Sequence, residues 1–504
     1  MMIFTKVPGL FFGHKGWQVL FVLMLLAFRP LPARSQASLR VDGKQDGMTA
    51  ELLGSTQQGG FRPDYAASSE WAFGAWAEGR KKVGKAVFEG SFSFDLSYGK
   101  AMSGSMFISP GLFPVDVLEF TPGDKTLRRY HFTGGLGVEI APQWLLGARF
   151  AFLSADYSKR KDIRHTNFGL DLEVDPNVAW QSPDGWFLQL GGVYRRRYEQ
   201  IKAERIGSET AVNYYAFLDK GLSYGAWQLW DGDGIHLAET GVGVFPVSEN
   251  AWGLTLELRK EGWTARLKGL RTRGSIGEKG YDWFRFPGWE ATAELVWEQA
   301  SDRISLRADA DAEHLEESVL EKVAYGGVVT PVIYGWNGIS HRFRSTVLLG
   351  WTHRWQTEPD APRWTSDLSW EGAWSREKSH YVYPYTDAAD IVRMGLQAEV
   401  KARFAAVELR AGLSGAGGWS REQGLQAQAD VQVDPPFRLQ EHWNRVLEYA
   451  RAPRVGAALG VHWYIPAVKG LYLRADLSCL RAFQIVYLPS PWRFSASLGV
   501  GYGF

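Results

Sequence analysis

The last thirteen residues, WRFSASLGVGYGF, alternate strictly between large apolar side chains and small or polar ones. The apolar set lies at the even positions Trp492, Phe494, Ala496, Leu498, Val500, Tyr502 and Phe504. Because successive side chains of a β-strand point to opposite faces, one face of this segment is apolar and the other is small or polar. A tilted strand needs only about 9–11 residues to cross a hydrocarbon layer. The segment therefore predicts either a membrane-crossing strand or an edge strand of a soluble sandwich.

The same alternation recurs along the chain from about residue 71 onward. Phe88 to Tyr98 and Tyr130 to Ile140 are examples, and a short turn at Ala141-Pro142-Gln143 leads from the second into another alternating segment. Longer excursions separate the paired segments at 99–129, 272–288, 313–339, 376–390 and 415–453. Transmembrane barrels show this asymmetry, with short periplasmic turns and longer extracellular loops.

The number of segments predicts the architecture. We count about nineteen strands, of which one pair is weak, and one further weak strand is possible before residue 70. An open sheet of this size would leave two unpaired edges, which closure removes. If both chain ends lie on the periplasmic side, the strand number is even. The sequence thus predicts an all-β fold, a closed antiparallel transmembrane β-barrel of about 18 strands (range 16–20).

Composition limits the alternatives. The chain combines 56 Gly, 23 Trp, 20 Tyr and 28 Phe with 22% charged residues, which is unusual for a soluble core. A net charge of +1 argues against a nucleic-acid-binding surface, because such surfaces need a clear basic excess. The single cysteine, Cys479, excludes an intramolecular disulfide and a multi-cysteine metal site.

The N-terminus has the features of a targeting segment. Lys6, His14 and Lys15 precede an apolar stretch from Trp17 to Phe28, and Ala33-Arg34-Ser35 forms a small-x-small cleavage site. We interpret residues 1–35 as a cleaved signal peptide, with a retained anchor as the alternative. Residues 36–70 are then a polar segment, periplasmic or lumenal, which is too short for the plug domain of an energy-coupled receptor. The barrel follows over 71–504.

With these strands, turns and terminal residues, the chain resembles the Gram-negative outer-membrane β-barrel superfamily over about residues 71–504. Within that superfamily it is most similar to the uncharacterised barrels grouped as domains of unknown function. The resemblance implies a multi-pass barrel in the outer membrane, in contact with membrane lipid and lipopolysaccharide. It also implies recognition by the barrel assembly machinery through the C-terminal signal Leu498, Val500, Tyr502 and Phe504.

If the apolar set faces lipid, the opposite set faces the lumen and is rich in charges of both signs. The candidates for a pore lining are Arg149, Arg195, Arg197, Arg266, Lys268, Arg307, Asp309, Asp311, Arg344, Arg403, Arg410, Arg474 and Asp476. Two interpretations stay open: an ion-pair network that stiffens the interior, or a constriction with acidic and basic walls that orients polar solutes. Charges are tolerated in a wet or ion-paired lumen but not in hydrocarbon.

Tryptophans collect near the expected strand ends and predict two aromatic girdles at the membrane interfaces. They are Trp144, Trp186, Trp263, Trp297, Trp364, Trp463 and Trp492.

Two excursions have helical signals. In 415–453, Asp434 can cap a helix with Pro435 in its first turn, followed by an apolar face. Its apolar residues are Leu439, Trp443, Val446, Leu447 and Ala450. This helix could constrict the lumen or pack against other loops. Glu313 to Val323 is a shorter, acidic candidate helix. Either segment could also contact a protein partner.

Catalytic and metal-binding signals are weak. No histidine is followed by serine two residues later, the spacing that would put base and nucleophile on one strand face. Asp309, Asp311 and His314 are the only cluster suited to activating water, and Asp231-Gly232-Asp233-Gly234 lacks the full spacing of a calcium loop. We expect no catalytic residue, metal site or cofactor.

The leading functional hypothesis is a channel for a solute. The alternative is a non-conducting structural or accessory barrel in an uptake, export or surface-anchoring complex. An enzyme acting on lipid or peptide ranks third.

Overall fold

A computed structural model describes residues 46–161, 163–204, 214–230, 244–278, 281–325, 328–355, 364–380, 387–423 and 439–503. Within these ranges the chain forms twenty strands and one helix. The strands in the first half are β1 (Gly47–Gly59), β2 (Ser69–Val83), β3 (Ala86–Ser105), β4 (Asp116–Ala141), β5 (Trp144–Lys159), β6 (Arg164–Gln181), β7 (Phe187–Glu204), β8 (Tyr214–Asp219), β9 (Gly225–Trp230) and β10 (Val244–Lys260). The remaining elements are β11 (Trp263–Glu278), β12 (Tyr281–Glu298), β13 (Asp302–Tyr325), β14 (Val328–Arg354), β15 (Trp364–Ser379), β16 (Asp387–Phe404), β17 (Val407–Gln423), α1 (Leu439–Arg451), β18 (Arg454–Tyr464), β19 (Leu471–Ala482) and β20 (Trp492–Gly503).

Eighteen of the strands, β1–β7 and β10–β20, close into one antiparallel barrel. β7 pairs with β10, and the seam closes where β20 pairs with β1, with Val500 opposite Leu52. This confirms the predicted all-β fold and the strand number of about 18. β8 and β9 stand apart from the wall and form a hairpin between β7 and β10. No helix within the described ranges is long and apolar enough to cross a membrane.

The outer face of the barrel is apolar. Leu254, Leu413 and Leu498 expose 64%, 69% and 71% of their surfaces, which a soluble protein would bury. Tryptophans border this belt on both sides. The turn side carries Trp144, Trp186, Trp263, Trp297, Trp351, Trp364 and Trp463, and the loop side carries Trp71, Trp252, Trp289, Trp374, Trp419 and Trp492.

The height of the belt fits the outer membrane. On β15, Trp364 and Trp374 are ten positions apart, which at about 3.4 Å per residue and a tilt near 40° gives roughly 25 Å. A closed barrel with an apolar belt of this height crosses a membrane with every strand, and single-chain barrels of this kind are outer-membrane proteins. The protein is an integral, multi-pass outer-membrane β-barrel.

The structure corrects the predicted start of the barrel at residue 71. Gly47–Gly59 forms β1, so most of the interval 36–70 belongs to the wall and the connection that follows it. The sequence indicated only a possible weak strand here, because its outer face carries small or polar residues such as Ala50 and Gly54 beside the large apolar Met48 and Leu52. Residues 1–35, including the expected signal peptide, lie outside the described residues.

Several expected excursions are strands that continue beyond the membrane. β13 and β14 stay paired from Asp302 to Tyr325, so the helix predicted over 313–323 is wrong. The glutamates and aliphatic residues of that stretch are compatible with an amphipathic helix. Its backbone N–H and C=O groups are paired with β14, however, rather than within a helix. Likewise β11 ends at Glu278 and β12 begins at Tyr281, which leaves little of the predicted loop 272–288.

The two faces of one strand should respond oppositely to a charge. Leu413 is 69% exposed at the middle of β17, and its neighbour Ser414 points to the other face. We expect Leu413→Arg to lower the free energy of unfolding by about 2–4 kcal/mol, because arginine at the bilayer midplane loses its hydration. Ser414→Arg should change it by less than about 1 kcal/mol. Urea unfolding in lipid vesicles measures both, and equal losses would contradict the assignment of faces.

Candidate functional site: a capped polar lumen

The predicted lumen-facing charges all lie at strand positions that alternate with the exposed apolar residues. Their richest cluster joins four strands of one wall. Arg195 on β7 contacts Glu249 on β10 at 3.0 Å and Glu290 on β12 at 2.7 Å. Arg197 contacts the same two carboxylates at 3.3 and 3.2 Å, and Asp171 on β6 at 3.1 Å. Two arginines and three carboxylates therefore form one network across the inner surface.

Further ion pairs line the lumen, four of them on β6 and β11–β14 and one each on β17 and β19. They are Lys268–Glu173 (2.6 Å), Arg266–Glu294 (2.7 Å), Arg307–Asp309 (2.7 Å), Arg344–Asp311 (2.9 Å), Arg410–Glu408 (2.8 Å) and Arg474–Asp476 (2.6 Å). Lys268 lies on β11 and Glu173 on β6, so their contact spans three strand spacings. Long side chains thus reach toward the middle of the lumen from the wall that β6 to β14 form.

Two residues of the predicted lumen-facing set, Arg403 and Arg149, are not part of these ion pairs. The Arg403 guanidinium lies 4.8 Å from the centre of the Tyr464 ring, at the periplasmic end. Arg149 is placed opposite Asp175 in the β5–β6 register, and its Nε and Nη2 are buried with no hydrogen-bond partner among the described residues.

The opposite wall is lined by small side chains. Ser91 and Thr133 hydroxyls lie 2.6 Å apart across β3 and β4, and Ser478 and Ser495 lie 2.6 Å apart across β19 and β20. Glycines such as Gly499 share this face. This wall also carries charged side chains, such as the ion-paired Arg474 and Asp476, so the two sides of the lumen differ in their content of small hydroxyl-bearing residues rather than in the presence of charge.

The candidate catalytic cluster does not assemble. Asp309 accepts hydrogen bonds from Arg307 and Thr292, and Asp311 from Arg344, all on the lumenal face. His314 lies at a position of opposite parity and stacks on His341 with ring centres 4.0 Å apart. Even and odd positions of one strand point to opposite faces of the sheet, so these side chains cannot line the same groove. Within the described ranges, no group of three or more His, Cys, Asp or Glu could hold a metal ion, and Asp231 to Gly234 lie outside those ranges.

A loop crosses the extracellular mouth of the barrel. Residues 106–115 connect β3 to β4, yet their carbonyl groups bind arginines of β14, which is nine strands from β3 in a ring of eighteen and so lies diametrically opposite. Arg342 donates to the carbonyls of Leu112 (2.9 Å) and Phe113 (3.0 Å), and Arg344 donates to that of Gly111 (2.6 Å). The loop therefore spans the full width of the lumen.

Apolar packing fixes this crossing loop. Met106 and Phe107 are almost completely buried, with exposures of 0% and 2%. Their partners come from the loop itself, from β8 and from the upper lumenal wall. These include Phe113, Val115, Ile201, Leu218, Phe245, Val247, Ile276, Phe284, Phe286, Leu315 and Ile339. A hydrophobic core thus lies inside the barrel mouth, above the charged layer.

The hairpin β8–β9 covers a second part of the mouth. It starts from the β7–β10 connection, but β8 pairs with the beginning of β4, with Asp219 opposite Asp116. Lys220 at its turn contacts Glu317 of β13 at 2.5 Å. The hairpin therefore bridges two separated sectors of the wall.

Helix α1 completes the closure and confirms the predicted helix in 415–453. Its first residue, Leu439, packs against Leu118 and Phe217 of the β4–β8 region. At its other end, the Glu448 carboxylate accepts backbone N–H groups of Val486, Tyr487 (2.8 Å) and Leu488 (2.7 Å). We call loop 106–115, hairpin β8–β9 and helix α1 the extracellular cap.

Asp219 in the cap hairpin and Asp64, which lies in the β1–β2 connection and contacts His442 of α1, have opposite electrostatic surroundings. Burial raises the pKa of Asp219 to about 7, and the nearby Glu377 and Asp116 act in the same direction, whereas the Gly221 N–H and the charge of His442 oppose it. Burial also tends to raise the pKa of Asp64, but the hydrogen bond from His442 and the charges of His442 and Arg445 outweigh it. The pKa of Asp64 is therefore below its usual value.

Sequence reasoning missed the crossing loop, although a signal for it was present. The segment 106–115 reads MFISPGLFPV, which is far more apolar than a solvated loop requires. It also missed Arg342, which shares strand and face with the predicted Arg344.

The sequence matches a protein family described as a family of unknown function, DUF6850, over residues 37–504. The chain belongs to this family. No curated protein matches it.

The chain is similar, at low scores, to several solved structures. The ferric citrate transporter FecA is 8% identical, with a TM-score of 0.39 and coverage of 92% of this chain and 79% of that chain. OccAB3 of Acinetobacter baumannii is 11% identical, with a TM-score of 0.34 and coverage of 91% and 98%. The FrpB iron transporter of Neisseria meningitidis (F3-3 variant) is 11% identical, with a TM-score of 0.38 and coverage of 92% and 82%. Values this low carry no inference about function.

The raised pKa of Asp219 predicts a pH-dependent hairpin. An exposed aspartate has a pKa near 3.9, so between about pH 4 and pH 7 the closed cap binds more protons than an opened one. The stability of the closed hairpin should therefore fall as the pH rises through this window. Amide exchange of residues 214–230, corrected for its intrinsic pH dependence, should show less protection at pH 8 than at pH 5. Asp219→Asn should reduce the difference, and equal protection at both pH values would contradict the prediction.

Glu448 should hold α1 against the β19–β20 connection. Glu448→Gln replaces a buried charged acceptor of three N–H groups. Hydrogen bonds to charged groups contribute about 1.5–3 kcal/mol each, so we expect amide exchange at residues 486–488 to rise at least about tenfold. Glu441→Gln is the matched control, because Glu441 is 47% exposed on the same helix. A similar rise in both variants would argue against the role of Glu448.

Proposed function

We propose that the protein is a gated channel for a small polar solute, and that the extracellular cap is its gate. The observation that carries this proposal is loop 106–115, which crosses a polar lumen along its diameter and is held by side-chain hydrogen bonds from Arg342 and Arg344. Such contacts are reversible. A barrel with a purely structural role would need neither a polar interior nor a removable closure.

The lumen beneath the cap supports the proposal. Short hydroxyl-bearing residues such as Ser91, Ser93, Ser495 and Ser497 line one wall, where they leave room for water. The opposite wall presents paired charges of both signs, among them Arg195 and Glu290. Solutes that follow the first wall would pass an electrostatic field directed across the lumen, which favours polar or zwitterionic molecules.

The proposal predicts a change in conductance when the gate is removed. Replacement of residues 107–113 by a Gly-Ser linker of the same length removes Phe107 and Phe113, whose packing fixes the loop, and leaves the carbonyls that accept from Arg342 and Arg344 on a flexible backbone. In planar bilayers the wild-type barrel should open rarely, and the variant should raise the open fraction at least about tenfold, which corresponds to roughly 1.4 kcal/mol.

The matched control removes seven residues between Leu320 and Ile333 of the β13–β14 hairpin, which keeps Leu315 and Ile339 of the cap core and the Lys220–Glu317 contact. It should conduct like the wild type. Heat-modifiable migration in SDS gels verifies that each barrel is folded. A folded barrel that stays electrically silent after loop replacement would contradict the channel and favour the structural or accessory role.

A further inference from the structure

The outer surface of the barrel carries a cluster of exposed arginines above the apolar belt. Arg196 on β7 and Arg271 and Arg273 on β11 all occupy lipid-side positions in the alternation of their strands. None of them has a hydrogen bond or an ion pair to any of the residues that the structure describes. Arg195 and Arg197, on the lumenal face of β7, differ from them because they contact carboxylates.

Strand register brings these arginines together. Arg271 lies between Trp252 of β10 and Trp289 of β12 in one cross-strand row. In the next row toward the loops, Arg196 and Arg273 flank Asn250. Strand spacings of about 4.8 Å and a two-residue rise of about 6.8 Å place the three backbone positions roughly 7–12 Å apart. Flexible arginine side chains can converge on one group across such distances.

The depth of the arginine cluster in the membrane determines which part of the lipid it contacts. Trp252 and Trp289, exposed by 49% and 39%, belong to the loop-side girdle at the boundary of hydrocarbon and headgroups. Arg271 lies at that boundary, and Arg196 and Arg273 lie one row farther out. In the outer leaflet this is the depth at which lipid headgroups carry their phosphates.

Nearby carboxylates do not neutralise the cluster. Glu249 and Glu290, on the neighbouring strands β10 and β12, contact Arg195 and Arg197 inside the lumen. On the outer side, Glu316 of β13 pairs with Arg285 of β12. Arginine binds phosphate with two parallel hydrogen bonds, and three unpaired guanidinium groups at a low-dielectric boundary favour an anion strongly.

We propose that Arg196, Arg271 and Arg273, with Asn250 between them and Trp252 and Trp289 beside them, form a binding site for a phosphorylated glycolipid of the outer leaflet. The tryptophans contact the acyl chains and sugar ring, and the arginines bind the phosphate groups. The Tyr194 hydroxyl donates to Asn250 Oδ1 at 2.9 Å, which holds this amide between the arginine positions. The proposal depends only on the membrane location of the barrel, so it is independent of conduction.

Native mass spectrometry of the purified full-length barrel tests the site. The probes are bisphosphorylated lipid A and the same lipid after enzymatic dephosphorylation. We expect the wild type to bind the bisphosphorylated form at least about tenfold more tightly, and the R196Q/R271Q/R273Q variant to lose most of this difference. Higher salt should weaken binding to the wild type, because the attraction is between exposed charges.

The control variant is R376Q/R421Q/R481Q, which removes the same number of charges from outer-face positions beyond the girdle of other strands. In these surroundings Arg376 pairs with Asp390, and Arg481 stacks on Trp492. It should bind like the wild type. Equal binding of both lipids, unchanged binding in the first variant or an equal loss in the control would overturn the proposal. If the first variant fails to assemble, R273Q alone should lower affinity about threefold, and no change there would likewise overturn it.

Discussion

The structure depends on the requirement that every backbone N–H and C=O in the hydrocarbon layer be paired. A sheet in lipid has no water to satisfy its edges, so all eighteen wall strands must close on themselves. The seam between β1 and β20 meets this requirement with eleven paired positions, from Thr49 and Gly503 to Gly59 and Arg493. β1 is weakly apolar, yet without it β2 and β20 would each expose an edge. Pairing rather than hydrophobicity places this strand in the wall.

Because the sheet is closed, one face of each strand contacts lipid. The residues on the inner face can therefore change in polarity along the barrel axis. At the membrane level this inner face carries charges such as Arg195 and Glu290. Toward the extracellular end it changes to apolar residues such as Phe245 and Phe286. The change of polarity along a single face shows where the wall stops carrying the charged layer and begins to support the cap. Loop 106–115 is apolar because the residues that it packs against on the opposite wall are apolar as well.

The period-two alternation was sufficient to predict the barrel and the strand number of about 18, because the alternation within each strand is local. It failed where the local pattern was weak or where contacts were distant. β1 has few large apolar residues, and β13 beyond the membrane has no lipid to impose alternation. The contact of Arg342 with the carbonyls of 112 and 113 joins opposite sides of the ring, and no local pattern encodes which loop crosses it. The partners of each lumenal charge, such as Lys268 with Glu173 three strands away, depend on register in the same way.

The same contacts determine how the cap can open. Release of loop 106–115 would expose Phe107 and Phe113 to water, at about 1.5–3 kcal/mol for each side chain. It would also leave Arg342 and Arg344 without their carbonyl partners, although Glu313 would still contact both at 2.9 and 3.0 Å. Spontaneous opening therefore costs several kcal/mol and is rare. A ligand shifts such an equilibrium only through its higher affinity for the open state. A ligand that binds the arginines in place of the loop carbonyls would supply that difference, because Glu313 holds the released guanidinium groups at the extracellular mouth of the barrel.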